Sequence, residues 1–506
     1  MIPLATSQQM TRIDSEAQES FGIPGILLME QAGVKGFHRC VQKYQDRMHR
    51  DSRFVFIAGG GNNGGDALVM AREASVWGAD HVSVVLTSTR INSNVTLHRD
   101  ICAKMEIPLY SWQHDRSKAE AAVRDAEVLV DGIAGTGLTG PLRGNAEEAV
   151  RFIASLTSRP FIISIDLASG IAPQVSTADA VIAADCTVTM GTPKVTAFLP
   201  HVRLFSGDII TVNPGFPRTL LSREAVSACL LKPEDAFLPP IALDAYKNTR
   251  GHAAVFAGSV GYTGAARLSS QSAASTRTGL VTLYCDEELY EVCASSVWES
   301  VIVRPVSHRR DAMRGVTSIL AGPGWGRSSE RSELLSELIE HGIPGVIDAD
   351  GIHALAKLIS SGKLPEGALD GRWVITPHPG EFRALQPGVT DGTLLEKLSA
   401  FTQNHRCWIV YKTHVTILSG PMGECWIADE ANPALGKAGS GDVLSGIITG
   451  LLAEGLDPGR AAMIGVLVHQ SIGRRAFSEF GWFTPDRLYP LISRELQDIT
   501  RWNEIP

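Results

Sequence analysis

The feature that most constrains the fold is an alternation of short β-rich runs with helical patterns, which occurs twice along the chain. Such alternation is typical of a parallel sheet wound with helices. Around residues 213–245 prolines interrupt the pattern, because proline removes a backbone donor and stops regular structure. The chain is therefore predicted to contain two tandem α/β domains, at residues 1–220 and 221–506. The first set of predicted strands is FVFIA at 54–58, VSVVL at 82–86, VLVD at 128–131 and FIISID at 161–166, and the second is AAVFAG, LVTLYC, TSILAG, GVIDAD, WVITP and CWIVYK beyond residue 250.

Charge and hydropathy argue against several classes of function. Lys plus Arg number 46 and Asp plus Glu number 54, a net charge of −8, and the basic residues form no block. Binding to a phosphate backbone is therefore disfavoured as the main activity. No apolar run reaches the roughly 18 residues that span a bilayer, and the start MIPLATSQQMTRID lacks the pattern of a secretory signal. We expect a cytoplasmic protein without nucleic-acid or membrane partners.

The first predicted strand runs into a glycine turn and then a helix. Gly59, Gly61 and Gly64 satisfy the GxGxxG spacing, which lets backbone N–H groups approach an anion at a helix N-terminus. The next strand ends at residues 87–90 without the acid that a dinucleotide dehydrogenase uses to hold ribose. An ordinary NAD-linked oxidoreductase is thus disfavoured. The turn also carries three side chains whose oxygens suit a hard cation, namely Asn62, Asn63 and Asp66.

Two further strand ends in the first domain carry acids followed by glycine-rich segments. Asp131 precedes the segment GTGLTGP at 135–141, and Asp166 precedes Ser169 and Gly170. The carboxyl ends of strands in an open α/β sheet converge on one crevice, so these polar residues are predicted to form one site. The alternative is a set of tight turns with Asx caps, which is a weaker explanation for three such turns in one domain.

A second candidate site precedes an apolar helix pattern in the carboxy-terminal half. The segment Gly439–Gly441 would expose amides able to stabilise a phosphoryl group in transfer. Asp442 could accept the proton of the attacking hydroxyl. The equally plausible alternative from this segment alone is an N-capping aspartate.

Four segments of the first domain resemble the YjeF amino-terminal domain, an NAD(P)H-hydrate epimerase with a Rossmann-like fold. They are LLMEQAG at 27–33, GGGNNGGDALVMAR, DGIAGTGLTGP and DLASG. The resemblance covers residues 1–217 and implies that Asp166 contacts the substrate. Ala67 and Ala168 replace the family's usual glycine and proline, and we expect them to change loop stiffness. The implied K⁺ ligands are Asn63, Asp131 and Ser169, and the implied substrate loops are Asn62, Asn63, Gly64, Gly65, Asp66 and Gly135, Thr136, Gly137, Leu138, Thr139, Gly140, Pro141.

Five ordered segments of the second domain resemble the ADP- or ATP-dependent NAD(P)H-hydrate dehydratases, whose fold is ribokinase-like. They contain YTGAA, GPGWG, VIDADGIHAL, VITPHPGEFRAL and GSGDVLSG. The resemblance covers residues 245–475. The implied substrate contacts are Ala265, one of Gly324 and Gly326, the run His378, Pro379, Gly380, Glu381, Phe382, Arg383, Ala384, and Asp442. The implied nucleotide contacts are Lys412, Thr413, His414, Val415, Thr416 and Asn432, Pro433, Ala434, Leu435, Gly436, Lys437, Ala438, Gly439, Ser440, Gly441.

The presumed nucleotide pocket departs from the family pattern at two places. Lys412-Thr413-His414 replaces a sequence such as Lys-Gly-Ala, and Leu435-Gly436-Lys437-Ala438 replaces Leu-Ala-Thr-Gly. We expect these changes to affect nucleotide affinity and choice more than the reaction, because Asp442 and its glycine-rich cradle remain. The choice between ADP and ATP stays open.

The two resemblances together imply repair of hydrated NADH and NADPH. Phosphorylation turns the added hydroxyl into a good leaving group, with Asp442 as base, the Gly439–Gly441 amides as cradle and Mg²⁺ accompanying ADP or ATP. Because that step acts on one stereoisomer, an epimerase with Asp166 as acid/base and K⁺ at its loops would supply the other. A homo-oligomer is also expected. The alternative is a ribokinase-like small-molecule kinase whose amino-terminal half is a non-catalytic nucleotide-binding module.

Overall fold

The computed structural model describes residues 1–172, 179–224, 228–309 and 313–500. The chain divides into two compact units. The amino-terminal unit is Pro3–Cys229, and the carboxy-terminal unit is Leu230–Pro506 together with Met1–Ile2. Both are α/β units built on parallel strands, so the predicted fold class is confirmed. The domain boundary after residue 220 stays a prediction.

The amino-terminal unit is built on a seven-stranded sheet in which every pairing is parallel. The short strand β1 (Ile2–Leu4) is not part of this sheet. In chain order the strands of the sheet are β2 (Arg53–Ala58), β3 (His81–Leu86), β4 (Leu109–Ser111), β5 (Val128–Gly132), β6 (Phe161–Ile165), β7 (Cys186–Met190) and β8 (Asp208–Val212). The sheet order is β4-β3-β2-β5-β6-β7-β8. The order reverses between β2 and β5, and ligands bind at such switch points, outside the carboxyl ends of the strands. Four of these strands are the four predicted for this half.

Seven helices of the described residues cover the sheet of this unit. They are α1 (Ser7–Glu19), α2 (Gly25–Lys43), α3 (Asn62–Trp77), α4 (Ser93–Lys104), α5 (Arg116–Asp125), α6 (Gly144–Ala154) and α7 (Arg218–Glu224), with short 3₁₀ turns at Val195–Phe198 and Arg203–Phe205. The first half of α3 is buried on most sides, because it packs between α2 and the sheet. Its N-terminus therefore meets the end of β2 at a fixed position.

The carboxy-terminal unit has a larger, mixed sheet. The strands are β9 (Ala228–Leu230), β10 (His252–Phe256), β11 (Leu280–Cys285), β12 (Val301–Pro305), β13 (Ser318–Ala321), β14 (Gly345–Ile347), β15 (Trp373–Ile375), β16 (Trp408–Tyr411), β17 (Thr416–Ser419) and β18 (Cys425–Ala428). The order β18-β17-β16-β15-β14-β13-β10-β11-β12 is parallel from β16 onwards, and β16, β17 and β18 form an antiparallel meander. The six predicted strands of this half coincide with β10, β11, β13, β14, β15 and β16.

One helix is at the centre of this unit. The described helices are α8 (Thr263–Ala274), α9 (Tyr290–Ser296), α10 (Ser329–Glu340), α11 (Asp350–Ser360), α12 (Pro379–Leu385), α13 (Leu394–His405), α14 (Ser440–Ala453), α15 (Pro458–Phe480) and α16 (Tyr489–Asp498), with 3₁₀ turns at Pro233–Asp235, Glu287–Leu289, Val306–His308, Pro433–Leu435 and Pro485–Leu488. Almost every residue of α14 is buried, because it packs against α8, α15 and the sheet. No helix in the described ranges is long and apolar enough to cross a bilayer.

Candidate active sites

The amino-terminal unit has a cavity of about 530 Å³ at the carboxyl ends of its strands. The cavity brings together eight of the residues predicted from the sequence, as the convergence of strand ends requires. These are Asn62, Asn63, Asp66, Gly135, Thr136, Gly137, Leu138 and Asp166. The predicted residues Gly64, Gly65, Thr139, Gly140, Pro141, Asp131 and Ser169 do not line it. Asp131 and Ser169 are fully buried beside it.

The glycine spacing of the first turn has a steric cause. A Cβ on Gly59 would lie 1.9 Å from the carbonyl oxygen of Ile133, and one on Gly64 would lie 2.0 Å from the carbonyl oxygen of Gly59. Both positions therefore need glycine for close backbone approach. Gly61 is the N-cap of α3, and no side chain of the described residues caps that helix. The first amides of α3 are thus available to an anionic ligand at the cavity.

Asp131 is the centre of a buried polar cluster. Its carboxylate accepts hydrogen bonds from the Ser164 hydroxyl at 2.7 Å, the Ser169 amide at 2.9 Å and the Ile133 amide at 3.2 Å. The Ser169 Oγ lies 2.5 Å from Asp131 Oδ1 and 3.0 Å from the carbonyl oxygen of Ala134. Burial raises the pKa of Asp131, and the hydrogen bonds from Ser169 and Ser164 only partly oppose this. The cluster ties the ends of β5 and β6 together.

Asn63 lies next to this cluster, close to Gly135. A Cβ on Gly135 would lie 3.0 Å from Asn63 Oδ1, so the amide oxygen faces the loop that follows β5. The Asn63 amide nitrogen is buried and has no hydrogen-bond partner within the described part of the chain. A buried unpaired amide is costly, so this nitrogen is suited to donate to a ligand or to water at the cavity. The sequence-predicted proximity of the loop and the strand end is seen in the structure.

Asp166 contacts a buried lysine, Lys194, that was not predicted from the sequence. Lys194 is 2% exposed, and its Nζ donates to the Asp166 carboxylate, to Thr189 Oγ1 at 3.1 Å and to the Met190 carbonyl at 2.8 Å. Asp166 itself has a left-handed φ of 67°, an uncommon conformation for a residue other than glycine. Lys194 follows the buried strand β7 and a Gly-Thr-Pro turn. That strand end with a charged residue is the signal that could have identified it.

Two further carboxyl groups line the same cavity. Burial, followed by the charges of Asp166 and Asp14, raises the pKa of Asp66 well above its usual range, and Lys194 opposes this. Asp14, on α1, was not identified from the sequence; burial raises its pKa although Gln18 donates to it at 2.8 Å. The cavity therefore contains acids of unequal proton affinity, as acid/base chemistry requires.

The two departures from the epimerase pattern lie in packed positions. Ala67 and Ala168 are at most 1% exposed. A Cβ on Gly132 would lie 2.6 Å from the Ala67 Cβ, so this alanine packs directly on the end of β5. Neither alanine can make a polar contact with a ligand through its side chain. Their predicted effect on loop stiffness stays a prediction.

In the carboxy-terminal unit, the predicted base lies in the first turn of α14. The N-cap is Gly439, with a φ of 93°, and no described side chain caps the helix. Asp442 is the third residue of the helix, so the alternative of an N-capping aspartate is wrong. Burial, then the charges of Asp348 and Glu381, raise the pKa of Asp442 to about 7, and Lys412 opposes them. A carboxylate with this pKa suits general base catalysis near neutral pH.

A buried histidine supports the turn that carries the base. His469 Nε2 lies 3.1 Å from Ser440 Oγ, and burial lowers the pKa of His469 to about 4. The imidazole is therefore neutral at physiological pH and supplies one donor and one acceptor nitrogen. His469 was not identified from the sequence, because its partner is 29 residues away on a neighbouring helix.

Two of the predicted substrate contacts of this unit, Ala265 and Gly324, lie close to each other. A Cβ on Gly324, which has a φ of 62°, would lie 2.9 Å from the Ala265 Cβ, so these two predicted contacts are adjacent. The Gly326 amide donates to Asp350 Oδ2 at 2.9 Å, which fixes the glycine turn. Asp350 lies within the VIDADG motif but was not identified as a site residue.

The predicted segment His378–Ala384 has mixed roles. His378 is the N-cap of α12: its Nδ1 accepts the Gly380 amide at 2.9 Å, while Glu381 accepts the His378 amide at 2.8 Å. The His378 side chain remains 57% exposed, and its Nε2 is 3.4 Å from Glu381 Oε1. Phe382, in contrast, is 6% exposed and packs against Phe401 and Tyr411. Its side chain belongs to the core.

The predicted nucleotide segments surround the start of α14. Lys412 Nζ contacts Asp348 Oδ1 at 2.7 Å, and a Cβ on Gly441 would lie 3.3 Å from the same Nζ. The Thr413 hydroxyl closes a turn with Val415, accepting its amide at 3.1 Å. The residues from Thr413 to Thr416 therefore form a tight connection between β16 and β17, of which His414 is the exposed member.

The second nucleotide segment is held at both ends. Asn432 Oδ1 accepts the Ala434 amide at 3.0 Å, while Asn432 Nδ2 is buried without a partner among the described residues. Lys437, which differs from the family pattern, donates to the Phe483 carbonyl at 2.9 Å, and its own carbonyl accepts the Ser440 amide at 3.1 Å. The lysine thus anchors the loop to the segment after α15.

Comparisons with known proteins match both units. The family model described as YjeF-related protein N-terminus matches residues 26–196, and the model described as NAD(P)H-hydrate dehydratase matches residues 253–494. Proteins named bifunctional NAD(P)H-hydrate repair enzyme Nnr are similar over nearly the whole chain. That of Salinibacter ruber is 30% identical, covering 91% of this chain and 89% of the relative, and that of Moorella thermoacetica is 29% identical, covering 94% and 93%.

Solved structures are also similar to about half of this chain. One is the ADP/ATP-dependent NAD(P)H-hydrate dehydratase of Bacillus subtilis co-crystallised with ATP and Mg²⁺, which is 23% identical with a TM-score of 0.46 and covers 54% of this chain and 99% of that one.

Proposed function

This chain belongs to the family of bifunctional NAD(P)H-hydrate repair enzymes, and from that premise we propose how its two units divide the repair. The amino-terminal unit interconverts the R and S hydrates of NADH and NADPH, and the carboxy-terminal unit dehydrates the S form with ADP or ATP. The resemblances inferred from the motifs are confirmed by the family matches. Those matches support repair over the alternative of a small-molecule kinase with a non-catalytic amino-terminal module.

The observation that carries the dehydratase proposal is Asp442 in the first turn of α14. The hydrated nicotinamide ring has a hydroxyl on carbon, and hydroxide is a poor leaving group. Asp442 would take the proton as that oxygen attacks the terminal phosphorus of ADP or ATP, whose bond to the bridging oxygen breaks and releases AMP or ADP. Phosphate then leaves with the C–O electron pair, the ring nitrogen lone pair assists, and loss of a proton from the adjacent carbon restores NAD(P)H.

The start of α14 also supports binding of the transferred phosphoryl group. Gly439 has a left-handed conformation and the helix has no side-chain cap among the described residues. The Ser440 amide already donates to the Lys437 carbonyl, so the other amides of the first turn are the ones that can face developing negative charge. Mg²⁺ bound with the nucleotide would offset the charge of the phosphates. Asn432, with its unpartnered amide nitrogen, lies in the loop proposed to contact the nucleotide.

For the epimerase we propose Asp166 as the acid/base at the hydrated carbon, with Lys194 as the charge that holds it. The Lys194 ammonium is buried and bonded to Asp166, so the carboxylate has one defined orientation at the cavity. The amides at the start of α3 would receive substrate phosphate. Asp66, whose pKa is raised, is suited to donate a proton in the same cavity.

K⁺ fits the polar cluster beside that cavity, and we propose it as the cofactor there. The donors would be the amide oxygen of Asn63, the carboxylate of Asp131 and the hydroxyl of Ser169, which are the oxygen ligands that hard cations prefer. The Ser169 hydroxyl has one proton for two acceptors, Asp131 and Ala134. One of those oxygens therefore keeps a lone pair for a cation. The cation would link the substrate loops.

The test follows the absorbance of the reduced nicotinamide while the protein acts on a mixture of both hydrates with K⁺, Mg²⁺ and either ADP or ATP. Recovery from both epimers is the expected result, and it also identifies the nucleotide. Recovery of the S share alone would show that the amino-terminal unit is not an epimerase. Stable phosphorylated product without recovery would instead favour the small-molecule kinase.

Two finer expectations belong to the same proposal. We propose a cytoplasmic location, and cell fractionation tests it. The expected homo-oligomer remains a prediction for sedimentation velocity.

A further inference from the structure

A buried ion pair stands beside the proposed base of the dehydratase. Lys412, directly after β16, and Asp348, directly after β14, contact each other at 2.7 Å, with side chains 20% and 2% exposed. The backbone of Lys412 is itself fixed, because its amide donates to the Pro377 carbonyl at 2.9 Å. The ammonium is therefore held at one place between two strand ends.

That place adjoins the first turn of α14. A Cβ on Gly441 would lie 3.3 Å from Lys412 Nζ, so the ammonium is next to the residue that precedes Asp442. Burial acts to lower the pKa of Lys412, but the carboxylates of Asp348, Glu381 and Asp442 outweigh it and raise that pKa. The lysine thus stays charged through the neutral range. An unpaired charge in this position would be strongly destabilising, which explains why Asp348 is present.

Resting on the proposed role of Asp442, we propose that Asp348 and Lys412 are positioning residues of the dehydratase: Asp348 holds the Lys412 ammonium against the start of α14, where it acts on the Asp442 carboxylate. This role is additional to the nucleotide contact that the family resemblance implies for Lys412. The pair sets the pH range in which the base is ionised.

The two members of this pair have opposite effects on the pKa of Asp442. The groups that interact with the Asp442 carboxyl are Asp348, Glu381 and Lys412, and Tyr489 on α16 is also within its electrostatic range. Asp348 raises the pKa of Asp442 and Lys412 lowers it. Removing the Asp348 charge should therefore lower the pKa of Asp442, and removing the Lys412 charge should raise it.

The experiment is the pH profile of kcat/KM for dehydration of the S hydrate at saturating nucleotide, since its acid limb reports the ionisation of the essential base. In Asp348→Asn the limb should move to lower pH, and in Lys412→Met to higher pH, each by about one unit. Lys412→Arg keeps the charge and should leave the limb near its original position. Lys363→Met, which removes an exposed lysine of the same unit, is the matched control and should not move it.

The outcomes separate this proposal from the one on which it rests. If Lys412→Met raises the KM for nucleotide while the acid limb stays in place, Lys412 is a phosphate contact and the pair proposal is wrong. If Asp442→Asn retains near-normal turnover, the proposed base is wrong whatever the limbs do. Circular dichroism checks folding, and should Lys412→Met not fold, Asp348→Asn and Lys412→Arg decide the matter.

Discussion

At the scale of single residues, both sites contain a lysine in contact with a carboxylate: Lys194, which is buried, contacts Asp166, and Lys412, which is largely buried, contacts Asp348. Burying a charged pair gives little net stability, whereas removing one partner leaves an uncompensated charge that costs about 3–5 kcal/mol. Such pairs are therefore weak evidence for a stabilising role. The first pair contains the proposed acid/base Asp166, and the second lies next to the helix turn that carries Asp442. These positions indicate that the lysines orient the carboxylates of the two sites.

Replacing Lys194 with Met should impair epimerisation and leave dehydration of the S hydrate unchanged. The variant removes the cation that holds Asp166, and losing a positioned acid/base group lowers rates by about 10²–10⁴-fold. The measurement is the rate of interconversion of purified R and S hydrates, followed by chromatography. Lys104→Met, at an exposed position of the same unit, serves as control. Wild-type interconversion by the Lys194 variant would contradict the role.

Replacing Asp66 with Asn should make stability less dependent on pH. Because the folded pKa of Asp66 is raised, the native state binds more protons than the unfolded state between the two pKa values. Stability is thus lost as pH rises from about 4 through the folded pKa. The Asn variant lacks this loss, so it should exceed the wild type in stability at neutral pH and match it in acid. Urea unfolding at both pH values measures this, and a constant difference would contradict it.

At the scale of elements, glycines decide how closely α14 approaches its neighbour α8. A Cβ on Gly446 would lie 2.3 Å from the Ser269 carbonyl oxygen, which belongs to the backbone of α8 and cannot turn away. Gly446→Ala should therefore destabilise this unit by about 1–3 kcal/mol despite the better helix propensity of alanine. It should also reduce dehydration, because α14 carries Asp442. Thermal unfolding and turnover are the measurements.

The control for that prediction is a helical glycine with open space. Gly264 has no neighbour within 4 Å of an added Cβ, so Gly264→Ala should stabilise the protein or leave its stability unchanged. Equal effects of the two substitutions would show that contact between α8 and α14 does not limit the helix position.

The elements also show how much could be predicted from the sequence. Asp131, Asp166 and the glycine turns stand at strand ends, and a parallel sheet brings such ends together, so the local pattern was sufficient. Lys194 and Asp348 also follow strands. The residues that they contact are determined by tertiary packing, which no short-range sequence pattern specifies. The family resemblance added roles for site residues, and these roles stay predictions; for one of them, Phe382, the structure shows a side chain packed in the core.

At the scale of the whole molecule, each unit has its own sheet and its own buried core. The polar groups of each candidate site come from strands and helices of one unit. Among the described residues, the contacts of Asp442 lie within the carboxy-terminal unit and those of Asp166 lie within the amino-terminal unit. We therefore expect the hydrate released by one unit to reach the other by diffusion through solvent.

Two inactive variants should accordingly restore full repair when they are mixed. Asp442→Asn abolishes dehydration but keeps the epimerase, so alone it should regenerate almost no reduced cofactor. Asp166→Ala keeps dehydration, so alone it should recover only the S share of an epimer mixture. Together they should recover both epimers, because free R hydrate is converted by the first protein and consumed as S by the second. Recovery that stops at the S share in the mixture would mean that the Asp442 variant has no epimerase activity or that its product does not leave the protein. Either result would contradict the separate roles proposed for the two units.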